Sequence, residues 1–249
     1  MKRVKLTVAY DGTNYCGWQI QSNGITVQQV LNEALGSLLG EEIKTVGASR
    51  TDAGVHALGN VAVFDTTSRI PPEKFSFALN AGLPADIRIQ KSEEVPPDFH
   101  PRFTTTVKTY EYQILNRTFG DPARRLSSFH WYGKLDLEEM QEAASYLVGK
   151  HDFKSFATAS PDVNSTVRTI YSIRLWKEND MIHIRVTGNG FLYHMVRIIA
   201  GTLMEVGKGK IRPGQMKDIL AAEDRRAAGP TACALGLTLM EIRYPEWES

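Results

Sequence analysis

Residues 49–57 read Ser-Arg-Thr-Asp-Ala-Gly-Val-His-Ala, and they set the carboxylate of Asp52 close in sequence to the guanidinium of Arg50 and the imidazole of His56. An aspartate held ionised by a neighbouring arginine can attack an electrophile or take a proton at neutral pH. The stretch has no apolar periodicity, whereas the runs at 43–46 and 61–64 that flank it are apolar and strand-like. A short polar loop held between two strands is a common place for chemistry. The same residues also suit an Asx-turn carrying a solvated arginine, so the rest of the chain decides which reading holds.

Arg197 stands in Phe-Leu-Tyr-His-Met-Val-Arg-Ile-Ile, residues 191–199, a guanidinium in an otherwise apolar helical pattern. Val196, Ile199 and Leu203 define the buried side of that pattern, which puts Arg197 at or near its edge. A charge there requires a partner, structural or functional. Tyr110 and Tyr112 fall on one face of an alternating segment, where core or cross-strand packing would account for both.

Other chemistries lack their residues. Gly188-Asn-Gly190 has no third glycine of a dinucleotide fingerprint, and Val206-Gly-Lys-Gly-Lys lacks P-loop spacing. The six histidines form no i,i+4 helical pair, so no metal site is expected. No serine has the context of a nucleophile elbow. The two cysteines, Cys16 and Cys233, are far apart and give neither a disulfide framework nor a zinc pattern. They fit a reducing, cytoplasmic setting. No apolar run approaches a membrane span. Hydrophobic residues make up 42% and charged residues 23% of the 249, which is ordinary for a globular protein. A net charge of +1 does not by itself announce a nucleic-acid binder. Basic pieces exist nonetheless: Lys2, Arg3 and Lys5; Arg117, Arg124 and Arg125; Lys208, Lys210 and Arg212; Arg225 and Arg226.

The elements that must position these residues are written in hydrophobic periods. Val4, Leu6, Val8 and Tyr10 alternate as a first strand. Thr26 with Gln29 forms a capping-box pattern before a helix carrying Val27, Val30, Leu31, Ala34, Leu35 and Leu38. Strands are expected at 43–48 and 58–66, a short helix through Phe75 and Leu79, and a fourth strand at Ile87 and Ile89. Prolines 96, 97 and 101 then punctuate the chain. The second half gives a strand at 108–114, a helix capped by Asp136, strands at 167–176 and 181–187, a helix over 191–206, a short helix after Pro213 and a last strand at 237–244. Apart from the short helix after Pro213, each half reads β-α-β-β-α-β. The expected fold is therefore α+β, two tandem ferredoxin-like units with mainly antiparallel sheets, helices on one face and a cleft between the halves. The expected domains are 1–103, carrying the Asp loop, and 104–249, carrying the tyrosine strand and the Arg helix.

Four motifs, in order along the whole chain, resemble the tRNA pseudouridine synthases of the A family. Tyr-Asp-Gly-Thr-Asn-Tyr-Cys-Gly-Trp-Gln at 10–19 resembles the family's opening strand and loop. Arg-Thr-Asp-Ala-Gly-Val-His-Ala at 50–57 resembles its catalytic loop. Lys-Thr-Tyr-Glu-Tyr-Gln-Ile at 108–114 resembles its tyrosine strand, and Gly-Asn-Gly-Phe-Leu-Tyr-His-Met-Val-Arg at 188–197 its second catalytic helix. Ser49 stands where many members have Gly, and His194 where Asn is frequent.

The resemblance implies isomerisation of uridine to pseudouridine in the tRNA anticodon stem-loop, at positions 38, 39 and 40, without a cofactor. It implies that Asp52 is the essential carboxylate, that Arg197 pairs with it within ion-pair reach, and that Tyr110 contacts the uracil ring. Arg50 would enter the RNA stem in place of the extruded base, and His56 joins Tyr110 and Arg50 on the substrate side. The implied partners are tRNA and a second copy of the chain. The residues alone leave two alternatives. A non-catalytic RNA-binding module needs only the two units and the basic clusters. A glycoside hydrolase needs a second carboxylate facing Asp52, and these motifs offer none.

Overall fold

The computed structural model describes residues 1–159 and 164–246. The chain folds into two compact units, one formed by 1–106 with the chain from Thr238 onward, the other by 107–237. Among the described residues, no helix is long and apolar enough to cross a membrane.

The first unit contains strand β1 (Lys2–Tyr10), helix α1 (Val27–Leu39), strands β2 (Val46–Gly47) and β3 (His56–Thr66), helix α2 (Phe75–Asn80) and strand β4 (Ile87–Val95). β3 pairs antiparallel with β1 and β2, and β1 pairs antiparallel with β4. β1 and β2 are thus parallel with β3 between them, and β3 and β4 are parallel with β1 between them. This is a split β-α-β unit built twice over the same four strands. The alternation in β1 does what its period requires, since Val4, Leu6, Val8 and Tyr10 are all buried. β3 is buried on both faces over most of its length. Thr26 caps α1 as its spacing predicts, its side chain accepting from Gln29 N–H. Gln29 turns its own amide to Glu33, so the return half of the capping box is not seen here.

The strand expected over 43–48 shrinks to Val46–Gly47. The physical reason is Thr45. Its N–H and hydroxyl both donate to Asn32 Oδ1, and its carbonyl accepts from Gln28 Nε2. Side chains of α1 satisfy the groups that a ladder would have used.

The second unit contains β5 (Val107–Asn116), β6 (Phe129–Trp131), α3 (Leu137–Ser145), β7 (Gly149–Asp152), β8 (Val167–Glu178), β9 (Met181–Gly188), α4 (Met195–Gly207) and α5 (Gln215–Ala222). β9 lies antiparallel between β5 and β8, which are therefore parallel to each other. β7 extends the sheet beyond β8, and β6 pairs parallel with β5. The final strand, β10 (Leu237–Arg243), sets Thr238 and Leu239 parallel to His56 and Ala57 of β3. Within the first unit, β3 therefore shares one edge between β2 at its far end and β10 at its start.

The helix expected from 191 begins at Met195. His194 adopts φ 62°, a left-handed conformation that an α-helix cannot contain. His tolerates that region better than most residues.

Candidate active site

The Asp52 loop runs from the end of β2 to the start of β3. Its residues alternate: Ser49 and Thr51 are buried, Arg50 is exposed and Asp52 is half-buried. The inward pair is anchored by hydrogen bonds. Asn60 Nδ2 donates to the Ser49 carbonyl at 3.0 Å. Thr51 Oγ1 and Tyr10 Oη are 2.7 Å apart, and Asn60 Nδ2 also lies 3.3 Å from that Tyr10 oxygen. The Thr51 carbonyl accepts from Trp18 N–H at 3.1 Å, and the Asp52 carbonyl from Val55 N–H at 3.1 Å. These bonds hold Ser49 and Thr51 inside, with Arg50 exposed and Asp52 half-buried between and beside them.

The segment at 10–19, whose role the sequence left open, is the clamp on this loop. A Cβ at Gly12 would stand 2.0 Å from the Val55 carbonyl oxygen, and one at Gly17 would stand 2.5 Å from the Thr51 carbonyl oxygen. Gly17 also has φ +82°, so both its space and its conformation require glycine. Trp18 is buried against Tyr10, with ring centroids 5.8 Å apart. Gly54 N–H donates to the Tyr15 carbonyl, closing the loop's far side.

His56 is the first residue of β3 and is only 7% exposed. Its Nδ1 accepts from Gly12 N–H at 3.1 Å and also lies 3.1 Å from Asp11 Oδ1. Burial pushes the Asp11 carboxyl up, but hydrogen bonds from Thr13 and the nearness of His56 outweigh this and hold it below the usual range. Tyr15 Oη donates to Asp86 Oδ1 at 2.7 Å. Burial and that carboxylate push its phenol well above the ordinary tyrosine value.

In the second unit, Tyr110 and Tyr112 are both buried on β5. Their surroundings differ. The Tyr110 ring meets Phe191 edge-on, centroids 5.2 Å apart. Tyr112 Oη donates to the Cys233 carbonyl at 2.9 Å, and burial pushes its phenol far up. Arg197, half-buried on the first turns of α4, donates from Nε to the Ala232 carbonyl at 2.8 Å, while Ala232 N–H returns a bond to the Arg197 carbonyl. Residues 232 and 233 are thus held by Arg197 and Tyr112 together. His194 supports the start of α4, its Nδ1 3.0 Å from Thr158 Oγ1 and its ring stacked on Tyr193.

The structure therefore sets Arg50 and Asp52 on one clamped loop of the first unit with His56 at the start of β3, and Tyr110 and Arg197 on β5 and α4 of the second. The basic clusters prove largely engaged within the chain. Arg3 pairs with Asp65, Lys5 with Glu93, Lys208 and Lys210 with Glu205, and Arg226 with Asp224. Among the described residues, no group of three or more His, Cys, Asp or Glu side chains is arranged to hold a metal ion. The residues that sequence reasoning missed are Tyr10, Gly12, Gly17 and Asn60. For the first three the one signal was the motif at 10–19, which named a segment without assigning it a task; Asn60, on β3, had none.

The model of the tRNA pseudouridine synthase family matches residues 6–104 and 143–245. The tRNA pseudouridine synthase A of Ruminiclostridium cellulolyticum is 51% identical over 98% of this chain and 100% of its own length. Those of a Thermoanaerobacter species and of Acetivibrio thermocellus are each 49% identical over 98% of this chain and their full lengths. The chain belongs to the tRNA pseudouridine synthase family.

Proposed function

We propose that this chain isomerises uridine to pseudouridine in the anticodon stem-loop of tRNA, at positions 38, 39 and 40, with Asp52 as the essential carboxylate. The observation that carries the reading is the half-buried Asp52 on a loop whose neighbours are anchored at backbone and hydroxyl, in a chain of this family. The reaction breaks the bond from uracil N1 to the ribose C1′ and forms one from C5 to C1′. The proton lost from C5 is balanced by one gained at N1, so no oxidant and no group donor enter. Asp52 acts as an ionised carboxylate, either on the sugar carbon or on a neighbouring proton.

Arg197 supplies the charge-assisted hydrogen bonds that orient Asp52. Tyr110, set edge-on to Phe191, contacts the uracil ring and moves the proton at C5. Arg50, exposed beside Asp52, fills the place of the flipped base, offsetting an unstacking cost of a few kcal/mol. His56 serves substrate binding from behind, through Gly12. The working form is a cytoplasmic homodimer, with each tRNA touching both subunits.

Incubating the protein alone with a transcribed, unmodified tRNA and mapping pseudouridine tests the reading. Conversion at the anticodon stem-loop without any added cofactor is the expected result. Tight binding with no conversion would replace it with the non-catalytic RNA-binding reading.

A further inference from the structure

We propose that Tyr10, Thr51 and Asn60 form a positioning device for Asp52, one that sets the rate of the chemical step rather than the affinity for RNA. The inference rests on the reading of Asp52 as the essential carboxylate, and it concerns residues that never need to touch substrate.

The three side chains come from β1, the loop and β3, and all are buried: Tyr10 is 4% exposed, Thr51 8% and Asn60 0%. Tyr10 Oη and Thr51 Oγ1 are 2.7 Å apart, a short hydroxyl pair. Asn60 Nδ2 reaches both Tyr10 Oη, at 3.3 Å, and the Ser49 carbonyl, at 3.0 Å. Asn60 Oδ1 accepts from Val61 N–H at 2.9 Å, so the amide cannot turn over without losing bonds at both ends. One amide thus ties the residue before Arg50 to the hydroxyl that holds the residue before Asp52.

Packing alone does not call for this arrangement. A buried strand pair is filled as well by Phe and Val, and a buried polar group is costly unless its partners are all present. What the network adds is a fixed register for Ser49 and Thr51, the two inward residues of the alternation. With those fixed, the backbone of Arg50 and Asp52, between and beside them, is fixed too. The Thr51 carbonyl is held independently by Trp18 N–H, so removing one hydroxyl loosens the loop without releasing it. A carboxylate that must meet a sugar carbon or its proton is sensitive to small displacements, and a shift of about 1 Å can cost roughly 100-fold in rate. RNA affinity, spread over many phosphate contacts, is not sensitive in that way.

The test compares Tyr10→Phe, Thr51→Val, Thr51→Ser and the Tyr10→Phe/Thr51→Val double variant in the full-length protein. Each is measured for the single-turnover rate on saturating tRNA transcript, for tRNA affinity and for thermal midpoint. Tyr10→Phe and Thr51→Val should each slow the chemical step about 10- to 100-fold, with affinity within about threefold of wild type. Thr51→Ser keeps the hydroxyl and should restore most of the rate. The double variant should be little slower than the slower single variant, because both remove the same bond. If Tyr10→Phe does not fold, the Thr51→Val and Thr51→Ser pair decides alone. Rates within threefold of wild type, with only the thermal midpoint lowered, would overturn the proposal and leave the network a structural one. An Asp52→Asn control separates the two readings. If Asp52→Asn is inactive and the network variants are not, only this inference fails. If Asp52→Asn is active, the assignment of Asp52 fails first.

Discussion

The loop around Asp52 and the helix around Arg197 are both pressed against glycine, yet they are held in opposite ways. The loop has no ladder of its own. Its backbone groups go to Tyr15 and Trp18 of the segment at 10–19, to Asn60 of β3, and to Val55 within the loop itself. The α4 helix satisfies its own backbone, and what it needs from outside is a strap. Residues 229–232 provide that strap: Gly229 N–H donates to Thr202 Oγ1, and Ala232 pairs with Arg197 through both backbone and side chain. Asp52 on its loop is thus positioned largely by distant partners, and Arg197 on its helix by its own turn plus a single seam. The first arrangement is easily loosened in part, and the second fails at the seam or not at all.

The largest effects should come from filling the two glycine contacts. A Cβ at Gly12 would meet the Val55 carbonyl oxygen at 2.0 Å, and one at Gly201 would meet the Pro230 carbonyl oxygen at 1.9 Å. Alanine is the better helix former by about 1 kcal/mol, so helix propensity alone predicts that Gly201→Ala stabilises. The clash should win, and both variants should lose about 3 kcal/mol or more by thermal or urea unfolding. A stabilised Gly201→Ala would show that the strap moves freely on α4, and would break the comparison.

Next in size is the contrast between the two tyrosines of β5. Tyr112→Phe removes a bond to the Cys233 carbonyl and should cost about 1–1.5 kcal/mol of stability, with the isomerisation rate within about threefold of wild type. Tyr110→Phe should do the reverse, with a rate loss of about tenfold or more and a nearly unchanged melt. If the two swap behaviours, Tyr112 is the residue at the uracil.

The smallest effect concerns pH. Glu111 is buried on β5, which pushes its carboxyl up, but Gln113, His183 and Arg185 donate to it and hold it below the usual range. A carboxylate with a depressed folded pKa stabilises the protein above its unfolded pKa. That contribution fades as pH falls through the folded value. Glu111→Gln should therefore flatten the acid limb of the stability curve below about pH 4.5. An unchanged acid limb would assign the limb to other carboxylates such as Glu93 or Asp65, whose pKa values their own cationic partners also lower.

The parts legible in the sequence are those whose causes are local. The period of β1, the cap at Thr26 and the hairpin of β8 and β9 each follow from a few adjacent residues. The Asp52 motif was legible as a family pattern, and the expectation of an α+β fold follows from the element order. What escaped depends on partners far along the chain. Thr45 abandons its strand because Gln28 and Asn32 lie beneath it on α1. The start of α4 is delayed by the left-handed backbone of His194, which no helical period reveals. Most of all, Tyr10 and Thr51 are separated by 41 positions, and nothing in the period of either segment says that their hydroxyls meet. The sequence can thus name Asp52 while leaving its support unread.

The central claim is that Asp52 carries the chemistry and the surrounding loop only presents it. The direct test is Asp52→Asn, which keeps the side chain's shape and removes its charge. Wild type and variant are given the same unmodified tRNA transcript, and pseudouridine formation and tRNA affinity are measured side by side. Asp52→Asn should bind tRNA within about threefold of wild type, melt unchanged, and lose about 1,000-fold or more in isomerisation, about 4 kcal/mol of transition-state stabilisation. Pseudouridine formation by Asp52→Asn within tenfold of wild type would contradict the claim.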